Sequence, residues 1–160
     1  MRKLVLIMLC LVMLVTGCNG KQNEPAETAE KQETVTEDEV KGDVVMKMKI
    51  DDRTVDVVWE DNDSVKALEK MCESGEVVVS MSMYGGFEQV GSLGTGITRN
   101  DHQTVTEPGD IVLYSGDSIV VFYGSNSWSY TRLGHISGMS ESELRDLLGN
   151  GDVTMTLYRE

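Results

Sequence analysis

Short runs in which apolar and polar residues alternate recur along residues 44–160, and this feature constrains the fold most. Alternation places every second side chain on one face of a strand, so each run predicts a half-buried β-strand. Turn signals such as Asp51–Asp52 separate the runs closely and favour antiparallel pairing. The alternating runs are residues 46–50, 55–59, 76–83 and 153–158, and further short strands bounded by turn signals are expected at residues 111–114, 118–123 and 131–136.

Two segments have helical periodicity instead. The first, residues 63–74, carries an apolar stripe that includes Cys72. The second, residues 140–148, begins with Ser140 and has Glu143 three residues later, which is the pattern of a capping box. Seven or eight short strands and two helices in one segment predict a mainly β fold. We expect a closed or nearly closed antiparallel barrel whose ends are covered by the helices.

The glycine-rich stretch of residues 84–96 predicts a loop or an irregular strand. Its Gly91–Gly96 part does not indicate a nucleotide site, because no Lys-Ser or Lys-Thr pair follows it. The methionine pairs Met46/Met48 and Met81/Met83 have the period of a buried strand face. We therefore expect them in the core rather than in a Cu(I) site.

The first seventeen residues have the pattern of an export signal. Arg2 and Lys3 precede twelve apolar residues, 4–15. This stretch is shorter than the ~20 residues that a helix needs to span a bilayer. We expect residues 1–17 to be a secretory signal peptide rather than a membrane-spanning helix.

The run Leu14-Val15-Thr16-Gly17-Cys18 resembles the lipobox of bacterial lipoproteins. The resemblance implies cleavage before Cys18 and attachment of acyl chains such as palmitate to it. We then expect the protein on the extracytoplasmic face of the cell membrane, with the membrane as its partner through the lipid anchor. The alternative is an ordinary signal peptide followed by an incidental cysteine.

Residues 18–43 follow as the expected lipidated cysteine and an acidic tether. From residue 19 to residue 43 the chain has eight acidic and three basic side chains and no aromatic residue. Such a segment cannot bury enough apolar surface to offset its conformational entropy. We therefore expect a disordered tether that ends where the folded domain, residues 44–160, begins.

Charge and composition exclude several classes of function. The chain carries 27 acidic and 14 basic side chains and a formal charge of −13. Nucleic acid is not an expected partner, because phosphate binding needs clustered Lys and Arg. Two histidines and three cysteines are too few for a convincing zinc site, so we expect no metal and no cofactor. Cys72 is the only thiol left after export and lipidation. Because it lies on the apolar stripe of residues 63–74, we expect its side chain to be buried and unreactive.

Four blocks of the domain resemble the bacterial cyclophilin-like domain family: residues 109–114, 119–124, 130–136 and 149–154. Members of that family are small secreted or lipid-anchored domains, sometimes fused to a flavodoxin. The resemblance covers roughly residues 44–160. It implies a closed eight-stranded antiparallel barrel with two short capping helices.

The resemblance carries the fold but not the chemistry. True cyclophilins are prolyl isomerases whose arginine, in a Phe-His-Arg strand motif, hydrogen-bonds the prolyl amide. The equivalent strand here, Val77–Met83, has neither Arg nor His, so no catalytic residue is predicted. Two alternatives stay open. One is a divergent peptidyl-prolyl cis-trans isomerase that uses Arg132 or Arg99, and the other is an accessory subunit of a membrane redox system.

Two segments, residues 84–89 and 123–132, mix aromatic and hydrogen-bonding side chains in the way that a ligand groove requires. We expect them near an open groove of the barrel that binds a peptide segment, a protein or a small molecule. The competing interpretation is that Tyr123 and Tyr130 pack in the barrel and Trp128 caps a loop. The candidate ligand-binding residues are Tyr84, Phe87, Gln89, Tyr123, Ser125, Asn126, Trp128, Tyr130 and Arg132.

Overall fold

The structure is a computed structural model that describes residues 45–160. The expected signal peptide, Cys18 and the acidic tether lie outside the described residues. Neither helix of the described part has the length and apolar character needed to cross a bilayer. The strands are β1 (Met46–Ile50), β2 (Arg53–Trp59), β3 (Val77–Tyr84), β4 (Glu88–Ser92), β5 (His102–Val105), β6 (Asp110–Tyr114), β7 (Ser118–Phe122), β8 (Ser127–Ser137) and β9 (Val153–Arg159), and the helices are α1 (Asp63–Cys72) and α2 (Glu141–Leu148).

Eight of the strands close into an antiparallel barrel. Their order around the barrel is β2-β1-β9-β3-β4-β7-β6-β8, and β8 pairs with β2 to close it. The ninth strand, β5, is added beside the first part of β8 and is not one of the eight barrel strands. Strand β8 can serve three neighbours because it has 11 residues: its first part pairs with β5, its middle with β6 and its last part with β2. The predicted eight-stranded barrel with two helices is confirmed.

The barrel interior is filled by the residues that alternation predicted. On β1, Met46, Met48 and Ile50 are buried, and the two lysines between them are partly exposed. Met81 on β3 is buried as well, whereas Met83 is exposed, so the prediction of a core position is wrong for Met83. Strand β3 ends at the next residue, where the chain turns back toward β4 and leaves the core.

Both helices contribute apolar side chains to the same core. Leu68 of α1 and Leu148 of α2 are fully buried in it. Helix α1 begins where predicted, because Asn62 Oδ1 accepts hydrogen bonds from two backbone N–H groups of the first turn. Helix α2 begins with the predicted capping box between Ser140 and Glu143.

Residues 84–96 were predicted as a loop or an irregular strand, and their middle part forms a regular strand. Strand β4 lies there and pairs regularly with β3 and β7. Gly91 serves a close approach inside the barrel rather than a loop. A Cβ at this position would come within 2.5 Å of Val79 Cγ1 and 2.6 Å of Met81 Sδ. A glycine in a strand can therefore mark a crowded interior.

Strand β5 was not predicted, because its residues do not alternate between apolar and polar. Its side chains are exposed or partly exposed, and its ladder joins it to β8. This pairing also extends β8 back to Ser127, four residues before the predicted start.

A second apolar cluster lies on the outer face of the barrel. It contains Val112, Val120, Phe122 and Tyr130, separate from the interior core. An antiparallel sheet with one face on the core usually leaves its other face polar. Here four strands present apolar side chains outward, and the candidate site is built on them.

Candidate functional site

A concave groove with a volume of about 360 Å³ lies on this outer face, above strands β4, β6 and β7 and the first part of β8. We call it the outer groove. Its lining is mostly aromatic and aliphatic, with one amide and one carboxyl group, which is a composition typical of ligand sites. The lining residues are Tyr84, Glu88, Val90, Tyr114, Val120, Asn126, Trp128 and Tyr130.

The strand register brings the lining side chains to the outer face. Glu88 is paired with Tyr84 of β3 on one side and with Phe122 of β7 on the other. Two residues along β4, Val90 is paired with Val120. Because paired residues project on the same side of a sheet and alternate along a strand, these five side chains share one face.

Glu88 is the least expected member of the groove. The residue is only 6% exposed. Its Oε2 atom is buried and has no hydrogen-bond partner among the described residues. Burial raises the pKa of the Glu88 carboxyl from its ordinary value of 4.5 to about 7, because an apolar setting disfavours the charged form.

Four aromatic rings surround this carboxyl. Tyr84 and Trp128 are 67% and 57% exposed, and Tyr114 is also exposed, so these three rings have free surface. Tyr130 is buried, and its ring packs edge-on against Tyr114 and Phe122 at interplanar angles of 66° and 68°. Burial raises the pKa of the Tyr130 phenol, and the nearby Glu88 charge raises it further by a smaller amount. Large exposed aromatics around a concave surface are typical of a binding site.

Asn126 is the polar anchor at the edge of the groove. Its Nδ2 donates a hydrogen bond to Tyr130 Oη at 3.0 Å. The backbone of Asn126 is held in turn by Thr106, whose Oγ1 accepts from the Asn126 N–H at 2.9 Å and whose own N–H donates to the Asn126 carbonyl. The amide and the phenol are therefore held in place before any ligand arrives.

Of the nine predicted ligand-binding residues, the structure brings four into the outer groove, and five lie elsewhere. Phe87 stacks on Phe122 beside the groove, with ring centroids 6.5 Å apart. Ser125 is exposed and does not line the groove. The four residues in the groove are Tyr84, Asn126, Trp128 and Tyr130.

Gln89 and Tyr123 point into the barrel instead. Gln89 is fully buried, and its Nε2 donates to the carbonyl oxygens of Leu148 and Gly151, both at 2.6 Å. This side chain therefore fixes the end of α2 and the turn after it. Tyr123 is buried in the interior core, as the packing interpretation had it.

Arg132 lies in a separate polar cleft of about 570 Å³. Its Nη2 donates to Asp110 Oδ1 at 2.8 Å, and its Nε lies 3.7 Å from Glu60. His135 Nδ1 lies 2.9 Å from the same oxygen of Asp110, which is itself buried. The lining residues of the polar cleft are Glu60, Asp61, Asn62, Asp63, Ser64, Lys66, Thr98, Arg99, Asn100, His102, Thr104, Tyr130, Thr131 and Arg132.

Asp110 holds this corner of the barrel together. Its Oδ2 accepts a hydrogen bond from the Glu107 N–H at 3.0 Å, which closes the turn before β6. Gly109 in that turn has φ +96°, and a Cβ there would lie 3.0 Å from His135 Cε1. The contacts of Asp110 with Arg132, His135 and the Glu107 backbone therefore stabilise the fold around this turn.

No group of three or more metal-ligating His, Cys, Asp or Glu side chains occurs within residues 45–160. Cys72 is buried, and this burial raises the pKa of its thiol and disfavours the thiolate.

A closed eight-stranded antiparallel barrel with two helices is the fold that the resemblance to the cyclophilin-like family implied. The sequence model of the cyclophilin-like family matches residues 48–158. The chain therefore belongs to the cyclophilin-like family. No match is found among curated proteins.

Proposed function

We propose that this protein is a lipid-anchored, extracytoplasmic binding module whose outer groove takes a peptide segment or a small ligand. One observation carries the proposal: exposed aromatic rings line the same groove on the outer face of the barrel as a buried carboxyl that has no partner among residues 45–160. Apolar surface of this kind is unfavourable in contact with water. The hydrophobic effect therefore favours the binding of a ligand that covers it.

The location rests on residues 1–18. A signal-like segment followed by Cys18 supports export and lipid attachment. Replacing Cys18 with Ser removes the sulfur that would carry the lipid. Fractionation of cells should then find Cys18→Ser in the soluble fraction or as an uncleaved precursor. Normal processing and membrane retention of the variant would contradict the anchor.

Isomerase activity is not part of the proposal. Arg132 lies only two residues after Tyr130, which lines the outer groove. However, Arg132 is paired with Asp110 and Glu60 and lines the polar cleft. Arg99 lines the same cleft and is paired with Asp101 at 3.5 Å. A guanidinium that polarises a prolyl amide in the outer groove would have to leave these carboxylates.

Ligand-observed NMR with small fragments tests the binding function. The sample is the chain from residue 18 onward with Cys18→Ser. We expect fragments whose binding weakens more than tenfold in Trp128→Ala. Val58→Ala is the matched control, since Val58 is an exposed apolar residue on β2, outside the groove lining. Fragment binding that responds equally to both variants, or to neither, would overturn the groove as the ligand site.

A further inference from the structure

We propose that the outer groove binds an organic ammonium ion, held between the Glu88 carboxylate and the aromatic rings around it. This inference rests on the proposed function and names the ligand class of the same groove. Three observations lead to it: an unpaired buried carboxyl, a set of exposed aromatic rings, and the charge of the chain.

The carboxyl comes first. Glu88 lines the groove and is more than nine-tenths buried, and within the described part of the chain its Oε2 has no hydrogen-bond partner. No lysine, arginine or histidine lines the outer groove among the residues that the structure describes. A buried carboxylate is unfavourable unless it is paired or protonated. A ligand cation would supply the partner that residues 45–160 do not provide.

The aromatic rings of the groove can also attract a cation. A cation within about 6 Å of a tyrosine or tryptophan ring centre is attracted by the negative face of the ring. Tyr84, Tyr114 and Trp128 keep large exposed surfaces beside Glu88, and Tyr130 lies among them. An alkylammonium ion matches both parts of such a groove, because its carbon chain covers the rings and its charge reaches the carboxylate.

The charge of the chain is the third argument. A formal charge of −13 attracts cations to the protein and repels anions. A neutral ligand with a carbonyl group, accepting a hydrogen bond from a protonated Glu88, is the competing occupant. The two kinds of ligand require opposite protonation states of Glu88. The pH dependence of the binding affinity therefore distinguishes them.

The expected pH dependence has a defined sign. The titratable groups that line the groove with Glu88 are the phenols of Tyr84 on β3, Tyr114 on β6 and Tyr130 on β8. With the pKa of Glu88 at about 7, the carboxylate forms as the pH rises through neutrality. Affinity for an ammonium ion should rise about tenfold from about pH 6 to about pH 8. Affinity for a ligand that needs protonated Glu88 should fall by a similar factor over this interval.

The probes are n-butylammonium and n-butanol, which share one carbon chain and differ in charge. Their binding is followed on the indole N–H signal of Trp128. The chain has only two tryptophans, and the indole of Trp59 donates to the Met46 carbonyl at 2.9 Å, so Trp128→Phe assigns the signals. We expect n-butylammonium to bind at least tenfold more tightly than n-butanol near pH 8. Glu88→Gln should remove this difference.

Equal affinities for the two probes, or an ammonium affinity that Glu88→Gln does not change, would overturn the inference. So would an ammonium affinity that falls with pH, and so would the absence of any shift of the Trp128 signal. The wild-type pH profile needs no substitution at Glu88, so it decides the question even if Glu88→Gln fails to fold. The fragment screen with Trp128→Ala tests the binding function separately, and the groove can pass that test while the cation inference fails.

Discussion

Glu88 on β4 lies directly opposite Phe122 on β7, and both side chains project from the outer face of the barrel. Phe122 is fully buried, because Phe87 stacks on it and Tyr130 packs against it edge-on. The carboxyl of Glu88 is therefore set into a largely aromatic surface. This setting explains both the raised pKa and the missing hydrogen-bond partner of Glu88.

Glu88 should lower the stability of the folded state as the pH rises. Its pKa is raised from 4.5 to about 7 on folding, so the folded state binds a proton more tightly than the unfolded state between these values. The stability from Glu88 is complete below about pH 4.5 and is lost as the pH rises through about 7. Relative to Glu88→Gln, the wild type should lose roughly 2–3 kcal/mol over this interval.

Urea denaturation of both proteins at several pH values measures this difference. The free energy of unfolding of Glu88→Gln is subtracted from that of the wild type at each pH. This difference cancels the contribution of the other carboxyl groups, which titrate alike in the two proteins. A difference in the free energy of unfolding that stays constant from about pH 5 to about pH 8 would show that Glu88 is not held in an apolar setting.

Trp128 should contribute little to stability. It is 57% exposed, so Trp128→Ala should reduce the free energy of unfolding by less than ~1 kcal/mol. Phe122→Ala is the matched control on the same face and should cost about 3–5 kcal/mol, because Phe122 is fully buried. Chemical denaturation compares the two. Similar losses for both variants would mean that Trp128 is a packing residue.

Asp110 should be required for stability rather than for binding. Asp110→Ala removes the acceptor of the Arg132 and Glu107 hydrogen bonds and should cost about 2–3 kcal/mol. Asp61→Ala is the control, because the Asp61–Lys66 pair is exposed and should contribute nothing measurable. Denaturation measures stability, and the probe titration should give an unchanged affinity in Asp110→Ala. A stable variant with altered affinity would assign Asp110 to the ligand site instead.

Prolyl isomerisation should proceed at its uncatalysed rate in the presence of this protein. Cis-trans exchange of an X-Pro peptide takes tens of seconds or longer at room temperature without a catalyst. A coupled-protease assay or exchange NMR measures the rate, with Arg132→Ala as the matched variant. Clear acceleration by the wild type that Arg132→Ala abolishes would make the protein a divergent isomerase.

Most of the fold could be predicted from alternation and capping signals. Met46, Met48 and Ile50 have the period of a buried strand face, and Ser140 with Glu143 fixes the start of α2. The regularity of β4 was not predicted because glycine normally marks a loop or an irregular strand, and nothing local in the sequence shows that Gly91 faces Val79 and Met81. Strand β5 was missed because it depends on its ladder to β8 rather than on burial.

The site was harder to predict than the fold. Tyr84 and Trp128 were found because large aromatics in glycine- and serine-rich stretches need an explanation beyond the core. Glu88 was missed because a single acid in a polar stretch is usually solvated. Its burial depends on Phe122, which is 34 positions away in the sequence and becomes its neighbour only through the β4–β7 register. Gln89, next to it, was predicted as a ligand-binding residue, but its side chain is buried inside the fold. Which side chains of β4 point inward could not be predicted without that register.

Intermolecular NOEs between n-butylammonium and the protein show where the cation binds. The polar cleft, with Glu60, Asp61 and Asp63, is the natural competitor for a cation. We predict NOEs from the butyl protons to the Trp128 ring and the Val90 methyl groups, lost in Glu88→Gln. NOEs confined to residues of the polar cleft such as His102 and Thr104, unchanged in Glu88→Gln, would contradict the outer groove as the ligand site.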